Sequence, residues 1–211
     1  MFYGFARGVL HGLSKLLFRI TIHGRENVPT SGAFIVAPSH RSYLDTPFVS
    51  FITRRRIRFM AKEELFANSF GNKLFTALGG IPVQRGSASA RTAMKAIQVA
   101  LEAGEAAAVF PEGTRRHGPD IGDLFDGTAY LAVKLGVPIV PVGIGGSEEI
   151  LASGTKMPRL HKVSLRIGAP IYAPADASTR KRTDLIAISD ELLKSLQTLF
   201  DEARAEAGCV P

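Results

Sequence analysis

The first twenty residues, MFYGFARGVLHGLSKLLFRI, carry Phe2, Phe5, Val9, Leu13, Leu16, Leu17 and Ile20 at spacings of three and four. That is the period of one face of a helix. Arg7, His11, Lys15 and Arg19 follow at steps of four on the other side. These charges break the apolar run before it reaches the ~20 residues that a transmembrane helix needs. They also interrupt any signal-peptide core. The pattern predicts an amphipathic helix over residues 1–20, with bulky side chains on one face and basic ones turned toward lipid head groups. The same pattern also suits a helix packed on its own protein.

Beyond residue 20 the pattern alternates between short apolar runs and longer amphipathic ones. Phe18–His23 reads as a short strand. Ala33–Ala37 (AFIVA) and Ala106–Phe110 (AAAVF) are continuous apolar runs of the kind that fill buried parallel strands. Ile57–Ala61, Gly80–Val83, Pro138–Ile144 and Lys162–Ile167 read as further strands, the last nearer an edge. Helices are expected over Thr46–Thr53, Glu63–Leu78, Ala88–Ala103, Gly127–Leu135 and Thr183–Ala205. Gly104 and Gly136 follow two of these as C-caps. In the last, Ile188, Leu192, Leu196 and Leu199 share a face. Strand and helix alternation predicts an α/β fold: a single domain over residues 21–211 with a mostly parallel, mixed sheet flanked by helices. No linker, repeat or low-complexity block divides it.

Composition narrows the partners. With 45% hydrophobic and 21% charged residues among 211, the chain has a core to bury and is not a disordered tail. The formal charge of +7 favours an anionic partner: nucleic acid, a phospholipid surface or a phosphorylated small molecule. The run Arg54-Arg55-Arg56-Ile57-Arg58 lacks the interleaved aromatics of a nucleic-acid platform, so no nucleic acid is expected. It reads as a lipid-facing or coenzyme-facing patch, or as a plain solvated face. The single cysteine, Cys209, forms no internal disulfide, and nothing implies an oxidising compartment. No His/Cys cluster has zinc-ligand spacing, so neither a metal nor a resident cofactor is expected.

Ligands of α/β sheets bind beyond the carboxyl ends of strands, and three polar clusters follow predicted strands. The first is SHRSYLDTP at 39–47. His40 suits proton transfer near neutral pH, and a carboxylate on its other ring nitrogen would orient it. Positions five apart on one helix point about 140° away from each other. Asp45 must therefore meet His40 across a turn, or else serve only as the N-cap of the next helix. The second cluster is GGIPVQR at 79–85, where Arg85 offers a planar guanidinium for a phosphate. The third is FPEGTRR at 110–116. Glu112 either holds Arg85 or Arg115 in place or accepts from a substrate hydroxyl, Gly113 lets backbone approach a ligand, and Thr114 can donate. A fourth stretch, VPIVPV at 137–142, reads as structural. Its prolines place it at a sheet edge or at a bulge.

Together and in this order, HRSYLD at 40–45, GGIPVQR at 79–85, FPEGTR at 110–115 and VPIVPV at 137–142 resemble the glycerolipid acyltransferase family, which contains the 1-acylglycerol-3-phosphate acyltransferases. The blocks span roughly the central half of the chain. Many members carry Asn before the histidine, where this chain has Ser39. The resemblance implies His40 as general base and Asp45 as its orienting partner. It implies Arg85, Glu112, Gly113, Thr114 and Arg115 as binding residues for a phosphorylated acceptor. The implied reaction moves a fatty acyl group from coenzyme A or acyl carrier protein to lysophosphatidic acid, a step of phospholipid biosynthesis. Other acceptors open at this point are glycerol-3-phosphate, another lysophospholipid or a polyol head group, and a non-catalytic anionic-lipid binder is the rival of another class. The thioester is already activated, so no covalent nucleophile is needed, and no elbow serine is present. The expected location is peripheral, at the cytoplasmic face of a membrane, held through residues 1–20. Chain-length preference, donor carrier and oligomeric state are left open.

Overall fold

The computed structural model describes residues 2–83, 87–150, 159–179 and 181–209, with side chains throughout except at 2–7, 9–10 and 87–90. In chain order the elements are α1 (Phe2–Phe18), β1 (Thr21–His23), β2 (Phe34–Pro38), α2 (Asp45–Val49), β3 (Ile57–Lys62), α3 (Ser69–Leu78), β4 (Gly80–Val83) and α4 (Ser87–Glu102). There follow β5 (Ala106–Ala108), α5 (Gly127–Leu135), β6 (Ile139–Gly145), α6 (Ser147–Ile150), β7 (Ser164–Ile167) and α7 (Arg182–Ala207). Residues 63–78 do not form one helix. A 3-10 turn at Glu63–Phe66 stops short, and Asn68 restarts the chain as the N-cap of α3 by accepting from the Gly71 amide at 2.7 Å.

The seven strands form one sheet in the order β1-β7-β6-β2-β5-β3-β4. All neighbours are parallel except β6 and β7. A single domain with a mostly parallel sheet is thus the architecture. Alternate residues of β2 feed opposite cores. Phe34 and Val36 join Phe48, Phe51, Ile57 and Val140 on one face. Ile35 and Ala37 join Ile97, Leu101, Leu131, Ile188 and Leu192, from α4, α5 and α7, on the other. Two-sided burial is why this strand reads as an unbroken apolar run. Each large side chain removed from water contributes about 1.5–3 kcal/mol.

The proline-bearing strand β6 is not at an edge. It lies between β2 and β7. Pro141 is accommodated by the bulge that sequence offered as the other possibility. Val142 pairs with Ile167, whereas Ile139 bridges Ile171, so the second chain carries one extra residue across this interval. The missing N–H of Pro141 falls within that break, while its carbonyl accepts from Gly168 at 3.0 Å. Further along β6, a Cβ on Gly143 or Gly145 would overlap the α7 backbone at Leu199 and Ala203. Glycine at these two places lets the last helix lie directly on the sheet.

One turn further along α7, Glu206 gathers the sheet edge. It accepts from Thr21 Oγ1 and Ser164 Oγ, both at 2.8 Å, and from Lys162 and Arg166, with His23 Nε2 3.0 Å away. Burial alone would raise this carboxyl. The hydrogen bonds from Thr21, Ser164, His23 and Lys162 outweigh that and hold it well below the usual carboxylate range.

Candidate active site

Strands β2 and β5 are parallel neighbours, so the loops leaving their carboxyl ends meet. One carries His40 and the other Glu112. The β2 loop is anchored at both ends. Buried Ser39 donates its amide to Val142 O and accepts from the Ile144 amide at 2.9 Å, fixing the chain to β6. This is the serine that stands where many relatives of the motif have asparagine.

Asp45 begins α2 and is 0% exposed. Its Oδ2 accepts from the Arg41 amide at 2.6 Å, from the Ser42 amide at 2.7 Å and from His40 Nδ1 at 3.0 Å. The histidine and the aspartate therefore meet across the turn, with His40 ahead of the helix. A carboxylate that already takes two amide protons is an acceptor, so Nδ1 carries the ring proton and Nε2 holds the lone pair. The His40 ring stacks on Phe110 with centroids 3.9 Å apart, and its side chain is 17% exposed. Orientation and access are thus set by separate contacts.

Glu112 sits differently from the sequence expectation. It is 0% exposed, and both carboxylate oxygens accept from Arg41 Nη1 at 2.9 Å. Oε1 also accepts from the His40 amide at 3.0 Å, and Oε2 from the Gly122 amide at 3.3 Å. Among the described residues its charged partner is Arg41 and not Arg115, and its oxygens are occupied from within the protein. Arg41 went unremarked in the sequence, yet its side chain is only 1% exposed. It further donates to the carbonyls of Gly118, His40 and Asp120 and lies 4.6 Å over the Phe200 ring. An arginine inside a turn between two apolar elements was the available signal. Phe110, next to the glutamate motif, was the other residue missed.

Gly113 and Thr114 are exposed on the following turn. Gly113 has φ 66, and a Cβ there would come 2.6 Å from the Phe125 ring, so the turn requires glycine. Arg115 lies 3.5 Å over the Tyr43 ring, and Lys62 Nζ, at the end of β3, is 5.8 Å from the same ring. Arg115 Nη1 is buried with no hydrogen-bond partner among the described residues. Two cations therefore converge on an aromatic of the His40 loop. Arg85 lies outside the described residues. The Arg54–Arg58 run stands at the amino end of β3, the opposite end of the parallel sheet from His40. Arg55 is used on the carbonyls of Pro29, Gly32 and Gly104, and Arg58 on Glu105. It is not a coenzyme-facing patch beside this site.

The mostly parallel sheet thus carries, beyond its carboxyl edge, an oriented His40–Asp45 pair beside a cationic turn. The family model described as Acyltransferase matches residues 19–145, and the chain belongs to the acyltransferase family. It is 28% identical over 207 residues to the 1-acyl-sn-glycerol-3-phosphate acyltransferase of Bacillus subtilis (strain 168), covering 95% of this chain and 99% of that one. It is 27% identical over 187 residues to the human 1-acyl-sn-glycerol-3-phosphate acyltransferase alpha, covering 87% and 64%. The crystal structure of the 1-acyl-sn-glycerophosphate (LPA) acyltransferase from Thermotoga maritima superposes with a TM-score of 0.71 at 27% identity, over 98% of this chain and 83% of that one.

Proposed function

We propose that the protein transfers a fatty acyl group from an acyl thioester, on coenzyme A or acyl carrier protein, to the free hydroxyl of 1-acylglycerol-3-phosphate, forming phosphatidic acid. The observation that carries this reading is the His40–Asp45 contact, 3.0 Å long, with the aspartate buried and pinned by two backbone amides. His40 Nε2 removes the hydroxyl proton as that oxygen attacks the thioester carbonyl. The C–O bond forms, the C–S bond then breaks, and the imidazolium returns the proton to the departing thiolate. Asp45 holds the ring and stabilises its cationic form. A positioned base of this kind contributes about 10²–10⁴-fold, and alignment of the two substrates supplies much of the rest.

The acceptor phosphate suits Arg115, with its unpartnered Nη1, together with Lys62 and the exposed Gly113-Thr114 turn. By resemblance Arg85 completes the set. Membrane contact is read onto α1. His11 stacks on Phe51 at 4.6 Å and Phe18 meets Phe48 at 5.9 Å, so that side docks on the protein. Leu13, Leu16 and Leu17 are left outward, Leu16 at 79% exposure, beside Lys15 and Arg19. Outward leucines flanked by cations suit an anionic bilayer surface, taken here as the cytoplasmic one. No helix among the described residues is long and apolar enough to cross a membrane.

The test is thiol release from acyl-CoA with and without lysophosphatidic acid. Release that depends on the acceptor and disappears in His40→Ala is expected. Release equal with glycerol-3-phosphate would move the acceptor assignment. Vesicle binding without any thiol release would replace catalysis by lipid binding.

A further inference from the structure

A second cluster of ligating groups lies away from the His40 loop. Glu149 of α6, His161 ahead of β7 and Cys209 just past α7 each offer an atom, and all three atoms lie within 4.8 Å of one another. The residues are far apart in sequence, so their spacing resembles no zinc motif. Folding brings them together. β6 and β7 are antiparallel, which returns the chain to the level of Gly145 at Ser164. α7 runs along β6 and ends beside it.

Two further observations point to a bound cation. His161 Nδ1 donates to the Lys162 carbonyl at 2.9 Å. That bond selects the tautomer in which Nε2 carries the lone pair, as it does for metal-bound histidines. Glu149 Oε2 is buried and has no hydrogen-bond partner among the described residues. A buried acceptor without a partner is costly, and a cation would satisfy it. At the chain end, Gly208 adopts φ 79 and the Cys209 amide donates to Arg204 O at 3.0 Å, which fixes the backbone that carries the thiol.

We propose that Glu149, His161 and Cys209 bind a zinc(II)-like divalent cation that staples the carboxyl end of α7 to the connection between β6 and β7. The donor set selects the metal class. Thiolate, imidazole and carboxylate suit zinc(II) or a neighbouring late divalent ion, whereas magnesium and calcium prefer oxygen shells. Bond lengths of about 2.0–2.3 Å put tetrahedral ligand atoms about 3.5 Å apart. The observed cluster closes to that with side-chain movements of about an ångström. Three protein ligands leave a position for water.

The test uses the full chain, stripped with chelator and titrated with cobalt(II) as a spectroscopic stand-in for zinc(II). A thiolate-to-cobalt charge-transfer band that saturates stoichiometrically and is displaced by zinc(II) is expected. Cys209→Ser should abolish the band while circular dichroism stays unchanged. Glu149→Gln and His161→Gln should each weaken cobalt binding by about tenfold or more. Absence of the band, its survival in Cys209→Ser, or unchanged affinity in both other variants overturns the proposal. No arm measures acyl transfer, so the result stands apart from the acceptor assignment.

Discussion

Replacing Glu112 by alanine separates two roles for the carboxylate in the FPEGTR motif. Sequence resemblance makes it a ligand of the acceptor. The structure buries it completely against Arg41 Nη1, with His40 and Gly122 amides as further donors. Removing it strands a guanidinium whose side chain is 1% exposed. Breaking a buried pair from one side costs about 3–5 kcal/mol. With a urea slope near 3 kcal/mol/M, the unfolding midpoint should fall by about 1–1.7 M. The two costs should not add. Once Glu112 is gone, replacing Arg41 by methionine removes the stranded charge, so the double variant should be less destabilised than the sum of the singles. The assay is urea unfolding by circular dichroism on both singles and the double, alongside acyl-transfer kinetics. If Glu112→Ala unfolds within about 1 kcal/mol of wild type while acceptor KM rises, the carboxylate meets substrate directly and the internal role is wrong.

Three further outcomes are expected. Asp45→Asn should stay folded but lose about 10²–10⁴-fold in kcat, and turnover near wild type would show that the aspartate only shapes the turn. Glu206→Gln should lower stability at pH 7 by about 2–3 kcal/mol. The folded carboxyl lies below its ordinary value of 4.5, so its contribution is present above that value and is lost as pH falls further. The urea-midpoint gap between variant and wild type should therefore shrink from pH 7 to pH 3, and a constant gap would reject the linkage. In metal-free protein, burial and the facing Glu149 carboxylate push the Cys209 thiol up to about 12. Alkylation by iodoacetamide at pH 8 should therefore run about 10³-fold slower than for a free thiol and rise tenfold per pH unit. Reaction at the rate of a free thiol would contradict that.

The middle of the sheet was legible because β2, β5 and β6 are buried on both faces. AFIVA and AAAVF have no polar side to hide, and such runs rarely occur elsewhere. The helix ends at Gly104 and Gly136 were legible from backbone chemistry alone. What sequence could not supply was pairing at a distance. Its rule about proline gave edge or bulge for β6, and only the register against β7 and Ile171 decides between them. For Glu112 the sequence offered Arg85, Arg115 or a substrate hydroxyl, and among the described residues the cation that meets it is Arg41 instead of Arg115. Arg41 is the nearest cation once β2 and β5 are adjacent, and that adjacency is a crossover, not a local pattern.

The opposition first posed for Asp45, helix cap or partner of His40, dissolves for a related reason. The caps of regular helices take amides from inside the helix. Asp45 instead reaches back to the amides of Arg41 and Ser42, ahead of α2. Curling the chain over its own carboxylate brings residue 40 round to the same oxygen, 3.0 Å from Nδ1. The bonds that fix the turn are therefore the ones that aim the histidine. Arg41 can then point into the protein, where Glu112 holds its side chain while also receiving the His40 amide. The imidazole is left with one face on Phe110 and, among the described residues, Nε2 as its uncommitted nitrogen. A loop tied this way has little freedom to lose when substrate arrives, which is what a base working by position requires.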